Sequence, residues 1–322
     1  MDSVKRGERY LPDWISRIDV KRRGKFRHPS WSSCPIAGLL IAGCLPSGFV
    51  WTAGFGPFPV RNFQPLQQLV LSLPGDRAPV VRPGTLDVRL EFAETSSIFN
   101  VGPPQDAVIV KFETTRCGLF LRCGATDKLE LGLKVPVFYR WDGFMGGLIT
   151  QTERLTSGLS PARAALSNTH FAFQVLQNGH TVMAGDPGAS GQGLRCSSPS
   201  IKFLTKTASM PAVSLRGAVK LPTGNQAEFF GSGSPDFGLG LQVEKLVAGR
   251  FVLDVDFDGV LPTGSIAGFS LQPTISAMAV AEYLWSENLS ITAHFDFYST
   301  PFHGTGPDVF DKGVTETVLG FS

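Results

Sequence analysis

Three carboxylates at alternate positions before a glycine, Asp254-Val255-Asp256-Phe257-Asp258-Gly259, resemble the opening of a calcium-binding loop. Such a loop needs a bidentate glutamate at its twelfth position. Here that position is Ser265, and Val255 and Phe257 between the acids suit a strand. The run is read as one face of a strand. Ser290, Thr292, His294, Asp296 and Tyr298 also fall on alternate positions. A serine and a histidine can perform acyl transfer, as in lipid hydrolases built on barrel strands, if the base lies within hydrogen-bond reach of the nucleophile. Ser290 and His294 are about 13 Å apart along a strand, so an interior polar ladder accounts for them better. Gly231-Ser232-Gly233-Ser234 precedes a strand-like segment and lacks the helix N-terminus that cradles phosphate. Cys117 and Cys123 stand about 20 Å apart on one strand, too far to bridge each other, and no zinc-ligand spacing occurs. With Cys196 they read as small hydrophobes; Cys34 and Cys44 fall in a leader-like segment. These motifs lead us to expect no catalytic residue, metal ligand or cofactor.

Such rows must be positioned by strands. Period-2 alternation dominates after residue 84, over 86–92, 129–135, 213–221, 237–243, 251–257, 275–285 and 289–297. A soluble strand usually runs about five or six residues, whereas several of these reach nine or more, the length a tilted membrane-spanning strand needs. Composition agrees: 36 Gly and 23 Pro suit a turn-rich all-β chain, and 43% hydrophobic with 17% charged residues excludes a disordered or coiled-coil one.

The links decide the topology. Residues 124–128, 247–249 and 286–288 are short turns, while 96–107, 140–193, 223–235, 261–271 and 300–313 are long. Regular alternation of short and long links predicts an antiparallel up-and-down transmembrane β-barrel, with tight turns on the periplasmic side and long loops outside. About ten strands result. The number becomes twelve if a small hairpin around Asn178-Gly179, within 171–182, joins the barrel. Residues 143–166 have helical spacing in places, giving a partly helical extracellular loop or a lid. Leu221-Pro222-Thr223-Gly224 recurs as Leu261-Pro262-Thr263-Gly264, each closing a strand before a long loop.

Lipid offers the backbone no partners, so a spanning sheet closes on itself, apolar outside and free to be polar within. The expected lumen-lining residues are Asp87, Arg89, Glu91, Glu130, Lys134, Arg216, Lys220, Asp236, Glu244, Asp254, Asp256, Asp258, Glu282, His294 and Asp296. Mixed charge at that density suits a wet or salt-bridged lumen and would be costly in a dry core.

The first 54 residues carry nine Lys/Arg against four Asp/Glu, leaving 20 against 23 in the remainder, so no basic nucleic-acid surface is expected. Within them a basic run, 21–27, precedes a short apolar core, 35–45, as in a secretory signal peptide. Cleavage is expected near Thr52-Ala53-Gly54. Ile41-Ala42-Gly43-Cys44 offers lipidation at Cys44 instead, and the polar residues 1–19 suggest that translation starts at Val20. The expected organisation is a leader, 1–54; a Pro-rich periplasmic or plugging segment, 55–84; and a barrel, 85–322.

Several segments carry a family resemblance: Gly56-Pro57-Phe58-Pro59-Val60-Arg61-Asn62, residues 119–136 with their Thr-Asp turn, Leu215-Arg216-Gly217-Ala218-Val219-Lys220-Leu221-Pro222-Thr223-Gly224, Gly231-Ser232-Gly233-Ser234-Pro235-Asp236-Phe237-Gly238, and Ser299-Thr300-Pro301-Phe302. Through them the chain resembles an uncharacterised family of exported bacterial proteins of unknown function. The resemblance implies an outer-membrane β-barrel-like protein of Gram-negative bacteria without assigned catalytic residues. More distantly, the chain is similar to barrels proposed to admit aromatic compounds. The terminal Gly320-Phe321-Ser322 departs from the aromatic end that barrel-assembly machinery usually reads. The function expected is a narrow pore for small solutes in the outer membrane. A filled structural or interaction barrel is the alternative, and a lipid hydrolase a weaker one. Partners expected are outer-membrane lipid, the assembly machinery and a small solute.

Overall fold

Where apolar and polar side chains alternate, long antiparallel strands form. The computed structural model describes residues 56–58, 67–185, 197–204, 211–224, 226, 229–266, 268–286, 289–303 and 312–321. The signal peptide, the start at Val20, Cys44 and Cys196 lie outside the described residues. The strands are β1 (Leu86–Val101), β2 (Val108–Gly124), β3 (Leu129–Trp141), β4 (Ala172–Gln177), β5 (His180–Ala184), β6 (Ser197–Leu204), β7 (Ala212–Lys220), β8 (Asp236–Val247), β9 (Phe251–Pro262), β10 (Ser265–Ile266), β11 (Phe269–Ser270), β12 (Thr274–Ser286), β13 (Leu289–Tyr298) and β14 (Val314–Phe321). Two helices, α1 (Met145–Thr156) and α2 (Pro161–Ala165), occupy the longest link.

One sheet of twelve strands contains all of these strands but β10 and β11, which pair with each other. Its long strands pair antiparallel in chain order, β1-β2-β3-β6-β7-β8-β9-β12-β13-β14. The β4–β5 hairpin joins the sheet through Val108–Lys111 of β2, beyond the end of β3. Its turn residues Asn178 and Gly179 have φ of 51° and 76°, the left-handed pair that a two-residue hairpin turn demands. Among the described residues no ladder joins β1 to β14, so what is seen is a meander without backbone closure.

The sheet is nevertheless strongly curved. Asp76 accepts a hydrogen bond from Arg122 of β2 and donates its N–H to Asp256 of β9. Those strands are five positions apart in the sheet, about 24 Å if it were flat. Both can reach one residue only because the sheet wraps round it.

Alternation resolves into an inverted surface. Leu90, Phe92, Leu239 and Leu319 are 72–80% exposed, while Asp236, Glu282 and Asp254 are 0–1% exposed. The pattern along β9 runs exposed, buried, exposed, buried, with the acids on the buried positions. At the end nearer the long links the buried face turns apolar: Val108, Val110 and Phe112 pack with Phe173, Val175, Met183, Ile266 and Phe302.

Three details differ from the sequence reading. The 96–107 link shrinks to 102–107, because β1 and β2 stay paired from Thr95↔Thr114 up to Val101↔Val108. Its Ser96-Ser97-Ile98-Phe99-Asn100 does not alternate in hydrophobicity, yet the ladder needs only backbone groups. β3 likewise continues to Trp141. Cys123, read as a small hydrophobe, is disulfide-bonded, whereas Cys117 is free and exposed.

Candidate functional site

Between the walls of the curved sheet runs the segment 67–81, which after one 3-10 turn, Gln67–Leu69, has no regular structure of its own. An extended chain in an enclosed space must find partners for its peptide groups. Here the wall supplies them with charged side chains. Lys220 Nζ donates to the Leu69 carbonyl at 2.6 Å and pairs with Asp236 at 2.6 Å, and Asp236 accepts the Leu71 N–H at 2.7 Å. Arg216 donates to the carbonyls of Leu73 and Pro74, at 3.2 and 2.7 Å, while its fork grips Asp258 at 2.9 Å and its Nη2 lies 3.6 Å from Asp256. Gln242 donates to the Asp76 carbonyl at 2.8 Å, and Asp256 accepts the Asp76 N–H at 3.3 Å. Glu244 pairs with Arg77 at 2.6 Å, and Glu130 accepts the Val81 N–H at 2.8 Å. Further along, Glu282 accepts the Gly56 N–H and His294 Nε2 the Phe58 N–H, with the Phe58 ring stacked on the imidazole.

Room for these contacts is made by missing side chains. Arg216, Gly240 and Asp258 form one cross-strand row. A Cβ on Gly240 would lie 2.0 Å from the Asp258 carboxylate and 2.9 Å from Arg216 Nε. Without that side chain, the pair meets across an intervening strand.

The remaining expected residues divide between pairs and buried acids. Asp87 accepts from Arg122, which also holds Asp76 at 2.7 Å, and Glu91 pairs with Arg116. Lys134 places its ammonium 4.7 Å from the centroid of the Phe120 ring. Asp254 is buried opposite Glu244, and Asp296 is buried opposite Glu316 of β14. Arg89 is half-buried and makes no ion pair or hydrogen bond among the described residues. Ser290 and His294 lie on the same buried face of β13, four residues apart in chain order.

Sequence reasoning missed Asp76, Arg77, Arg116, Arg122, Gln242 and Glu113. Arg116 and Arg122 share the parity of Gly118 and Phe120 and were legible as one face. Asp76 and Arg77 sit in an aperiodic Pro/Gly stretch that carries no such signal. Buried Glu113 accepts the N–H groups of Phe144, Met145 and Gly146, at 2.9, 3.0 and 2.5 Å, and so holds the start of α1.

Beside the inner segment, toward β1–β3 and β7, the structure leaves a cavity of about 100 Å³. Its lining includes Arg89, Arg122, Lys134, Arg216, Asp76, Glu130 and Phe120. Apart from this cavity, hydrogen bonds and ion pairs bind the inner segment to β7, β8 and β9, and Gly56 and Phe58 to β12 and β13.

Compared with solved structures, the chain is similar to an outer membrane channel from Pseudomonas putida F1, at a TM-score of 0.47 and 13% identity over 77% of this chain and 79% of that one. It is also similar to the P. putida toluene transporter TodX, at a TM-score of 0.33 and 12% identity over 73% of this chain and 67% of that one. No curated protein matches it. Residues 44–322 match the family described as "Protein of unknown function (DUF3187)", and the chain belongs to that family.

Proposed function

We propose that the chain is an outer-membrane β-barrel in which the long strands close around the inner segment, and that it forms a narrow pore for small solutes. One observation carries this reading: along strand after strand the large apolar side chains face outward and the charges are buried. Water-soluble chains rarely leave contiguous apolar patches of this extent uncovered; lipid covers such a face at no cost. Aromatic side chains gather at both ends of the strands, as they do at membrane interfaces. Phe251, Tyr283 and Trp285 cluster by the short turns, and Tyr139, Trp141 and Phe144 by the long links. Closure pairs β1 with β14, since an unpaired edge in lipid leaves backbone groups without partners.

Ten long strands make a narrow cylinder whose interior side chains can nearly fill. The inner segment and its ion pairs favour a second reading, a filled barrel whose loops meet a partner. Two measurements separate these. Membrane fractionation with a heat-modifiability gel tests the barrel: a band in the outer-membrane fraction that shifts only on boiling is expected, and a soluble, unshifted chain would end the reading. Planar-bilayer recording tests the pore. Discrete conductance steps are expected, and their absence in a heat-modifiable protein leaves the filled barrel.

A further inference from the structure

The cavity beside the inner segment has an uneven charge. Four cations, Arg89, Arg122, Lys134 and Arg216, line it against two acids, Asp76 and Glu130. Both acids are engaged, Asp76 by Arg122 and Glu130 by the Val81 N–H. Arg122 and Arg216 are spent in turn on Asp87, Asp76 and Asp258. Arg89 differs. Its neighbours on the same face of β1, Asp87 and Glu91, are taken by Arg122 and Arg116, which leaves its guanidinium without an anion among the described residues. A guanidinium matches a carboxylate in geometry and charge. Arg89, Phe120 and Lys134 also form one cross-strand row, their backbone positions about 10 Å apart from first to last, so both long cationic side chains can converge over the aromatic ring between them. Leu73 and Pro74 supply apolar wall opposite.

We propose that this cavity binds a small carboxylate, its anionic head held by Arg89 and Lys134 and its short apolar body lying on Phe120, Leu73 and Pro74. The proposal rests on the pore reading only for its role in passage; as a binding site it stands apart. Butyrate is the probe, and butyramide, of the same shape without the charge, is the control.

Calorimetric titration of the full chain in detergent micelles should show saturable heat with butyrate and none with butyramide. Arg89→Gln should weaken butyrate binding at least about tenfold, the size expected for one charge-assisted contact, and Arg89→Lys should retain most of it. If Arg89→Gln loses its unboiled gel band, Lys134→Gln carries the test with the same expected loss. Absence of butyrate binding, equal binding of butyramide, or unchanged affinity in a folded Arg89→Gln would overturn the site. Butyrate binding in a protein that never conducts keeps the site and removes the pore; conductance without butyrate binding does the reverse.

Discussion

Arg216 shows how much one side chain can hold when a chain is threaded through a sheet. Its guanidinium satisfies two peptide carbonyls and a carboxylate, and lies near a second carboxylate, while only 6% exposed. Charge-assisted pairing of this kind offsets the desolvation of both partners only while every partner is present. Arg216→Ala takes the guanidinium donor from Asp258 and from the carbonyls of Leu73 and Pro74, and removes the cation beside Asp256. We expect it to cost about 3–5 kcal/mol, the range for breaking a buried pair, read as a lower urea midpoint in lipid-like detergent. Arg216→Met combined with Asp258→Asn should cost less than the sum of the single changes, because the double change no longer strands the Asp258 carboxylate against a missing guanidinium. The acidic β9 row, seen in the sequence as strand face rather than calcium loop, has its physical role here: Asp256 and Asp258 turn toward Arg216 and the Asp76 peptide. A linear motif shows the alternation, but the cation for those acids comes from position 216, two strands away in the sheet.

At the scale of elements, strands and helices are secured differently. A strand is held along its whole length by ladders on one or both sides, so it tolerates an exposed apolar face. Helix α1 buries none of its residues and is secured at its ends. Glu113 takes the orphan N–H groups of the first turn, where a negative charge also meets the favourable end of the helix dipole. Near the other end, Glu153 accepts the Ser160 N–H at 2.9 Å and pairs with Arg163 at 3.2 Å, tying α1 to α2. The Ser160 N–H, with the Arg163 guanidinium, holds the Glu153 carboxyl below its ordinary range. A carboxylate whose folded value is depressed contributes stability above its unfolded pKa, about 4.3 for glutamate, and loses it as pH falls through the folded value. Hydrogen-exchange protection of residues 145–166, corrected for intrinsic rates, should therefore fall as pH drops from about 6 to about 3. Glu153→Gln should lower the protection at neutral pH and flatten the dependence. Helical spacing in 143–166 was visible in the sequence. Glu113 as its anchor was not, since it lies thirty residues upstream on a strand.

For the whole molecule, the distribution of charge around the wall matters most. The strands β8, β9, β12, β13 and β14 present acids inward, and the cations paired with those of β8 and β9 come from β7 and from the inner segment itself. Under the proposed reading the segment gives that wall one cation, Arg77, and several peptide N–H donors, and obstructs the passage. A chain lacking residues 67–81 that keeps its heat-modifiable band should conduct more than wild type in planar bilayers; an unchanged conductance would place the passage elsewhere. Alternation needs only neighbouring residues, and link lengths can be counted, so the strands, their antiparallel order and the opposing faces of Leu90 and Glu91 were determined by the sequence itself. Chain order could not say which partner each buried charge meets. Asp76 joins β2 to β9 only because the sheet curls, and Gly240 lets Arg216 reach Asp258 only because a third strand runs between them. Pairings between residues more than a hundred positions apart depend on curvature and register, which are set by the packing of the whole sheet and not by any local run of side chains.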